Sequence, residues 1–172
     1  GDYEISARRY VIAAGSSSLV PPIPGLDTVD YLTNETLFEL KKGPKHLVII
    51  GGGPIGMEMA QAHRRLGAEV TVIEGGRALG KEDPELAAIV LDRMRAEGIA
   101  VHENVKVVEV GKSGRWQVKV TCERNEGGTF EVIGSKLLVA TGRKPNVDGL
   151  GLENAGIKFD RSGIKVGSDL QT

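Results

Sequence analysis

The sequence predicts an α/β fold: a three-layer domain built on a parallel sheet, with an antiparallel β-meander added to it. Three observations carry that expectation. The stretch VIIGGGPIGMEMAQAHRRLGAEVTVIE, residues 48–74, reads as a buried strand, a glycine turn, an amphipathic helix and a second strand ending on an acid. A second helix and a third strand follow directly, giving β-α-β-α-β in a short span. Three further strand patterns, joined by glycine-bearing turns, then succeed one another without an intervening helix.

The bulk composition agrees with a soluble globular chain. It has 172 residues, 40% apolar and 26% charged, with a formal net charge of −1. That balance offers no basic face for nucleic acid, and no apolar run is long enough to span a bilayer. A lone cysteine, Cys122, excludes an internal disulfide and fits a reducing compartment, so the expected location is cytoplasmic. His46, His63 and His102 lack ligand spacing, and no metal is expected. The opening GDYEISARRYVIAAGS has no initiator methionine and starts at once in strand-like alternation, the closing GIKVGSDLQT stops with no capping logic, and the chain reads as a piece of a longer one.

In order along the chain, Tyr3 to Ala13 reads as strand material, with Tyr10, Val11 and Ile12 its most buried part. The prolines of SSSLVPPIPGLD impose an extended path rather than an element. Thr36 to Lys42 predicts a short helix stopped by Gly43 and Pro44. His46 to Ile50 predicts a buried parallel strand. From Pro54 a helix presents Ile55, Met59, Ala62 and Leu66 as one apolar stripe, and Gly67 stands at its C-terminal cap. Glu69 to Ile73 is the next strand. Asp83 as N-cap, Pro84 at the first turn and Gly98 at the end delimit a second helix. Ile99 to His102 is the third strand. Val105 to Val110, Trp116 to Thr121 and Thr129 to Ile133 form the meander, turning at Gly111–Gly114 and Gly127–Gly128. Lys136 to Thr141 is another buried strand, and the tail beyond it is turn-rich with little core.

The glycine turn is where chemistry enters. A pyrophosphate needs hydrogen-bond donors with no side chains in the way, and a helix N-terminus supplies free N–H groups and the positive end of the dipole. Gly51, Gly53 and Gly56 fit G-x-G-x-x-G, with Gly52 as added freedom. The first allows the tight turn, the second the approach of phosphate, and the third the packing of helix on strand. Glu74 closes the second strand about 20 residues on, where a carboxylate accepts hydrogen bonds from adenosine ribose hydroxyls. A carboxylate there repels a 2′-phosphate, which favours NAD(H) over NADP(H). Arg77, with Lys81 behind it, is either a 2′-phosphate contact or an ordinary solvated arginine. The unit is a Rossmann-like (FAD/NAD(P)-binding) arrangement.

With these pieces in hand, the chain resembles the class I pyridine nucleotide-disulfide oxidoreductases, the FAD flavoenzymes that include dihydrolipoamide dehydrogenase and mercuric reductase. The resemblance rests on VIAAGSSSLVPPIPGLD, YLTNETLFEL, VIIGGGPIGMEMA, LLVATGRKPNVDGLGLENAGI and DLQT, in that order. It implies an NAD(H)-binding domain over residues 27–142, inserted between partial FAD-domain segments at 1–26 and 143–172. It implies that Gly51, Gly52, Gly53, Pro54, Ile55 and Gly56 hold the pyrophosphate and Glu74 the ribose. Val107 resembles the adenine-side contact and Gly142 the backbone contact near the nicotinamide. Pro54 falls where the family places a gating side chain, and a rigid proline puts side-chain gating in doubt. Glu58 resembles a glutamate near the flavin that pairs with a lysine of the FAD domain; it reads equally as a solvated helix residue. Gly15 resembles an FAD contact, although Ala14 stands where the family more often has threonine.

The family's first FAD glycine motif, its C-x-x-x-x-C dithiol and its C-terminal interface domain are not among these residues, and Cys122 alone cannot form a redox disulfide. No catalytic residue is therefore assigned. The resemblance implies FAD and a homodimer in the full-length parent, with hydride passing between NAD and a dithiol through flavin, most like dihydrolipoamide dehydrogenase. Mercuric reductase or another acceptor-specific relative, with the same nucleotide site and either NAD or NADP, is the alternative; a free-standing NADH-sensing module is the third. Titration checks the cofactor preference: NADH is expected to bind more tightly than NADPH, and NADPH binding of equal or greater strength removes the argument from Glu74.

Overall fold

A computed structural model describes residues 3–172 of the chain. The described residues fall into two compact units, one holding Arg143–Thr172 with the described part of Gly1–Ser17, the other Ser18–Gly142. The first two residues of the segment 1–26 lie outside the described residues.

In the larger unit the strands are β2 (Tyr31–Leu32), β3 (His46–Ile50), β4 (Glu69–Ile73), β5 (Ala100–His102) and β9 (Lys136–Val139), preceded in the chain by β1 (Ser16–Ser18). They form one five-stranded sheet in the order β2-β9-β3-β4-β5, with every pair parallel. Helices α1 (Pro54–Arg65) and α2 (Pro84–Ala96) make the β3-α1-β4-α2-β5 crossovers. Strands β6 (Val105–Ser113), β7 (Gln117–Arg124) and β8 (Thr129–Gly134) are the antiparallel meander.

Burial shows why the sheet is apolar on both faces. Along β3, Leu47 and Ile49 enter a core with Met57 and Ala60 of α1 and Ala87, Leu91 and Met94 of α2. Their neighbours Val48 and Ile50 point the other way, into a core with Val110, Val118, Val120 and Val132 of the meander. Side chains of a strand alternate between faces, so a covered strand must be hydrophobic throughout. The resulting layers are helices, parallel sheet and meander. Thr71 is the buried polar residue among them, and its Oγ1 hydrogen-bonds His46 Nε2 at 2.9 Å. The meander rejoins β3 closely: a Cβ on Gly134 would lie 2.5 Å from Val48 Cγ2. Ser135 Oγ meanwhile accepts from the amides of Lys45 and His46.

Several local expectations hold, and several do not. Asp83 caps α2, its carboxylate accepting from the amides of Glu85 and Leu86. The predicted stripe on α1 is not the buried one. Gly56, Met57 and Ala60 face the sheet, whereas Leu66 is 82% exposed, because small residues let this helix lie close to β3 and β4. Thr36 to Lys42 yields only a single 3-10 turn, Leu37–Glu39. The proline-rich stretch holds more than an extended path: Ser16–Ser18 is a strand and Leu26–Thr28 a 3-10 turn. Strand β6 runs on to Ser113, so the first meander turn lies at residues 114–116. Residues 18–26 pack with the larger unit, since Leu26 is buried against the meander and Val110 N donates to Pro24 O at 2.9 Å.

The smaller unit has little core. Tyr3 to Ala13 contains no strand, and Tyr10 and Val11 are exposed; its alternating pattern finds no partner strand among the described residues. Strand β1 pairs with β10 (Arg143–Pro145), and β11 (Phe159–Asp160) pairs with β12 (Gly163–Ile164). Asn146 ties the two segments, donating from N to Gly15 O at 3.0 Å and from Nδ2 to Ala14 O at 2.9 Å.

The C-terminal ends of α1 and α2 meet at Glu97. Arg65 Nη2 and Arg93 Nε donate to its Oε1, both at 2.8 Å, and Arg64 Nε donates to its backbone oxygen at 2.7 Å. These arginines also face helix C-termini, where positive charge is favoured. The Arg65 and Arg93 guanidiniums hold the Glu97 carboxyl at about 2, well below its ordinary 4.5. A depressed folded-state value adds stability above pH 4.5 that fades as pH falls toward 2. Glu97→Gln is therefore expected to lower the melting temperature at pH 7 by about 2–4 °C. The gap to wild type is expected to shrink below pH 4.5; a gap that stays constant in acid assigns the effect to something other than this ion pair.

Candidate functional site

The site forms where β3, β4 and β9 end together. In a parallel sheet a crevice opens at the carboxyl ends of strands whose connections run in opposite directions. Here β3 has β4 on one side, reached through α1, and β9 on the other, reached from the meander. A cleft of about 300 Å³ lies at that point. Gly51 to Ile55 form its floor. Glu74, Arg77 and Leu79–Glu82 form one wall, and Ala140–Gly142 the other.

The glycines of the turn have different reasons to be glycine. Gly51 has φ +112°, and a Cβ there would sit 2.4 Å from Ala140 O on the neighbouring strand's exit. A Cβ on Gly56 would sit 2.0 Å from Gly51 O, so the helix packs on the turn only without one. At Gly52 a Cβ would press on Glu74 Cβ at 3.0 Å and Ala78 Cβ at 3.1 Å. Gly53 alone is different. Its backbone is extended, with φ −74°, and a Cβ would meet nothing within 4 Å. No contact inside the protein forbids a side chain there, and Gly53 lines the cleft.

The helix end above that floor is left uncapped. Met57 N donates to Gly53 O at 3.0 Å, the first bond of α1, so the amides of Ile55 and Gly56 precede the helical ladder. Pro54 at the first position has no N–H, and no side chain caps the helix. α2 shows the contrast, with its Asp83 cap. An uncapped N-terminus behind an open glycine fits an anionic group such as a pyrophosphate.

Glu74 joins floor to wall. Its Oε2 accepts from Gly52 N at 2.6 Å and its Oε1 from Gly76 N at 2.9 Å. Each carboxylate oxygen keeps a further lone pair that can accept another hydrogen bond. Arg77 and Lys81 stand on the same wall, and neither forms an ion pair among the described residues.

Of the residues singled out from the sequence, Gly51, Gly52, Gly53, Pro54, Ile55, Glu74 and Gly142 line the cleft. Gly56 is buried just beneath it. Glu58 is exposed on α1 and Val107 is half-buried on β6 against the meander core, and neither lines the cleft. Gly15 belongs to the smaller unit. Ala140, Thr141, Leu79, Gly80 and Glu82 were not legible as lining. The rule that ligands sit where strand connections diverge would have found the segment after β9. Cys122 is fully buried on β7, and burial pushes its thiol up to about 11 despite nearby Arg124. Among the described residues no three His, Cys, Asp or Glu side chains converge, and no helix is long and apolar enough to cross a membrane.

Comparison with known proteins places this geometry. The family profile described as pyridine nucleotide-disulphide oxidoreductase matches residues 1–172. The chain is 41% identical over 166 residues to a mercuric reductase of Streptomyces lividans, covering 96% of this chain and 35% of that protein. It is 34% identical over 167 residues to a dihydrolipoyl dehydrogenase of Bacillus subtilis, covering 96% and 36%. The Cu(II) complex of the HOCl-induced flavoprotein disulfide reductase RclA from Escherichia coli superposes with a TM-score of 0.81 at 33% identity, covering 92% and 36%. The chain thus spans about a third of the length of these relatives. By sequence and by fold, this chain belongs to the pyridine nucleotide-disulphide oxidoreductase family.

Proposed function

We propose that this chain is the NAD(H)-binding portion of a flavin-dependent oxidoreductase. The single observation that carries this is the open position at Gly53 below an uncapped helix N-terminus. On this reading the amides of the turn receive the pyrophosphate, and Glu74 receives the adenosine ribose hydroxyls. Gly142, on the opposite wall, lies against the nicotinamide half. Residues 27–142 form the nucleotide domain, with 18–26 packed on it, and the segments 1–17 and 143–172, Gly15 among them, belong to the FAD domain of the whole protein. When bound, a nicotinamide ring supplies hydride chemistry; the chain's own residues bind and orient it. The chain as given carries one cysteine and so no dithiol of its own to receive electrons.

A second reading concerns the electron acceptor. Identity is higher to the mercuric reductase, at 41%, than to the dihydrolipoyl dehydrogenase, at 34%. That difference supports a mercuric-ion reductase as the whole protein ahead of a dihydrolipoamide dehydrogenase. The cleft argument is the same for both.

Gly53→Ala separates binding from folding. A methyl group there meets open space at a φ that alanine adopts, so the free variant is expected to be as stable as wild type or about 0.4–1 kcal/mol more stable. The same methyl stands in the path of a phosphate, and NADH affinity is expected to fall about tenfold or more, or about 1.4 kcal/mol. At a concentration 100 times its Kd, NADH is expected to raise the wild-type melting temperature by about 5–10 °C. A Gly53→Ala variant that binds NADH as tightly as wild type sinks the proposal.

A further inference from the structure

The wall that faces the glycine turn is held in a conformation its own residues do not favour. Leu79 has φ +53°, in the left-handed region where a branched side chain is strained. It stays there while its N–H donates to Gly52 O at 2.8 Å. One residue earlier, Ala78 is only 2% exposed, so its N–H has no access to solvent. That amide is satisfied by Glu103, whose Oε1 accepts from it at 2.8 Å. Glu103 comes from the turn between β5 and β6, far from the glycine motif in sequence. Its other oxygen, Oε2, accepts from Arg95 Nη2 of α2 at 2.7 Å. The carboxylate is thereby fixed between a helix and a loop, and it is partly buried.

We propose that Glu103 is a positioning residue for the nucleotide cleft: clamped by Arg95, it holds the Ala78 amide and keeps the strained 77–82 wall closed on the glycine turn. The inference rests on the nucleotide reading of the cleft given above. The physical reasoning is short. A buried amide without an acceptor is unfavourable, so removing Glu103 drives Ala78 N toward water or another partner. The wall can reach water only by moving outward. That movement releases Leu79 from its strained conformation and breaks its bond to Gly52. The Ala78 methyl, which underlies Gly52, withdraws with it, and Arg77 and Lys81 lose their places beside the cleft. Strain that surroundings over-determine is released when one of its restraints is removed.

The test uses the 172-residue chain, with NADH as the probe and amide exchange at Ala78–Gly80 as a second readout. Glu103→Ala removes the acceptor. Glu103→Gln keeps one oxygen that accepts from Ala78 N–H but sets its NH2 against the Arg95 guanidinium, so it retains the acceptor and loses the clamp. Glu97→Gln, at the far ends of both helices, controls for general loss of stability. Glu103→Ala is expected to raise the NADH Kd about tenfold and to speed exchange at Ala78 at least about tenfold, because an unpaired buried amide opens more readily. Glu97→Gln is expected to stay within about threefold of the wild-type Kd, and Glu103→Gln to fall between Glu97→Gln and Glu103→Ala. The proposal is overturned if Glu103→Ala leaves either the Kd or Ala78 exchange at the wild-type value. It is also overturned if Glu103→Gln matches wild type in both readouts, since the Arg95 clamp then does nothing, or if Glu97→Gln weakens NADH as much as Glu103→Ala does. A wild-type chain that binds no NADH removes the nucleotide reading instead; Ala78 exchange in Glu103→Ala then still decides whether Glu103 holds the wall.

Discussion

The structure depends on how closely the first helix approaches the end of the first long strand. A Cβ at Gly56 would come within 2.0 Å of Gly51 O, and one at Gly51 within 2.4 Å of Ala140 O. With both side chains absent, α1 lies down on β3, its N-terminus reaches the carboxyl end of the strands, and β9 exits alongside. The helix core of Met57, Ala60 and Leu91 then forms beneath it. If α1 stood off by the width of a methyl group, the floor of the cleft and the core under it would both be lost. The motif is thus first a packing device, and three of its four glycines are explained without any ligand. Only Gly53 is left over, and it carries the functional argument.

The other half of the site is assembled by hydrogen bonds rather than by packing. Glu74 binds the turn to the loop after β4, and Leu79 N binds that loop back to Gly52. The loop's outer side is fixed by Asn104 N on Gly76 O and by Glu103 on Ala78 N. A cleft preorganised in this way spends little conformational freedom on binding a ligand. The matched relatives are about three times longer than this chain.

What could be read from the sequence was what is specified locally. Strand β3, the Asp83 cap and the meander's alternation are written in consecutive residues, and the chain adopts them. The Gly51–Gly56 turn and Glu74 were legible for the same reason, through spacing. Non-local features were not. Tyr3 to Ala13 alternates like a strand, yet a strand exists only with a partner, and none lies among the described residues. On α1 the hydropathy pattern pointed to Leu66, but the buried face was set by Gly56 and Ala60, small residues that carry little hydropathy. Thr141 and Leu79 reach the cleft through a parallel strand neighbour and a strained turn; neither leaves a mark in the adjacent letters.

The double burial of β3 raises a problem of alignment. In a sheet with one wet face, sliding a strand by a single residue throws its apolar side chains into water, and that penalty enforces the pairing. β3 has no wet face: Leu47 and Ile49 serve one core, Val48 and Ile50 the other, so a slip would expose nothing. Correct alignment must instead be encoded in the few positions that are not interchangeable. Thr71, paired with Val48 and reaching His46 with its hydroxyl, Ser135 bridging two successive amides and the missing side chain at Gly134 each have one matching place along β3. They act as index marks on an otherwise uniform rail, and substitution there is expected to scramble pairing rather than merely loosen it.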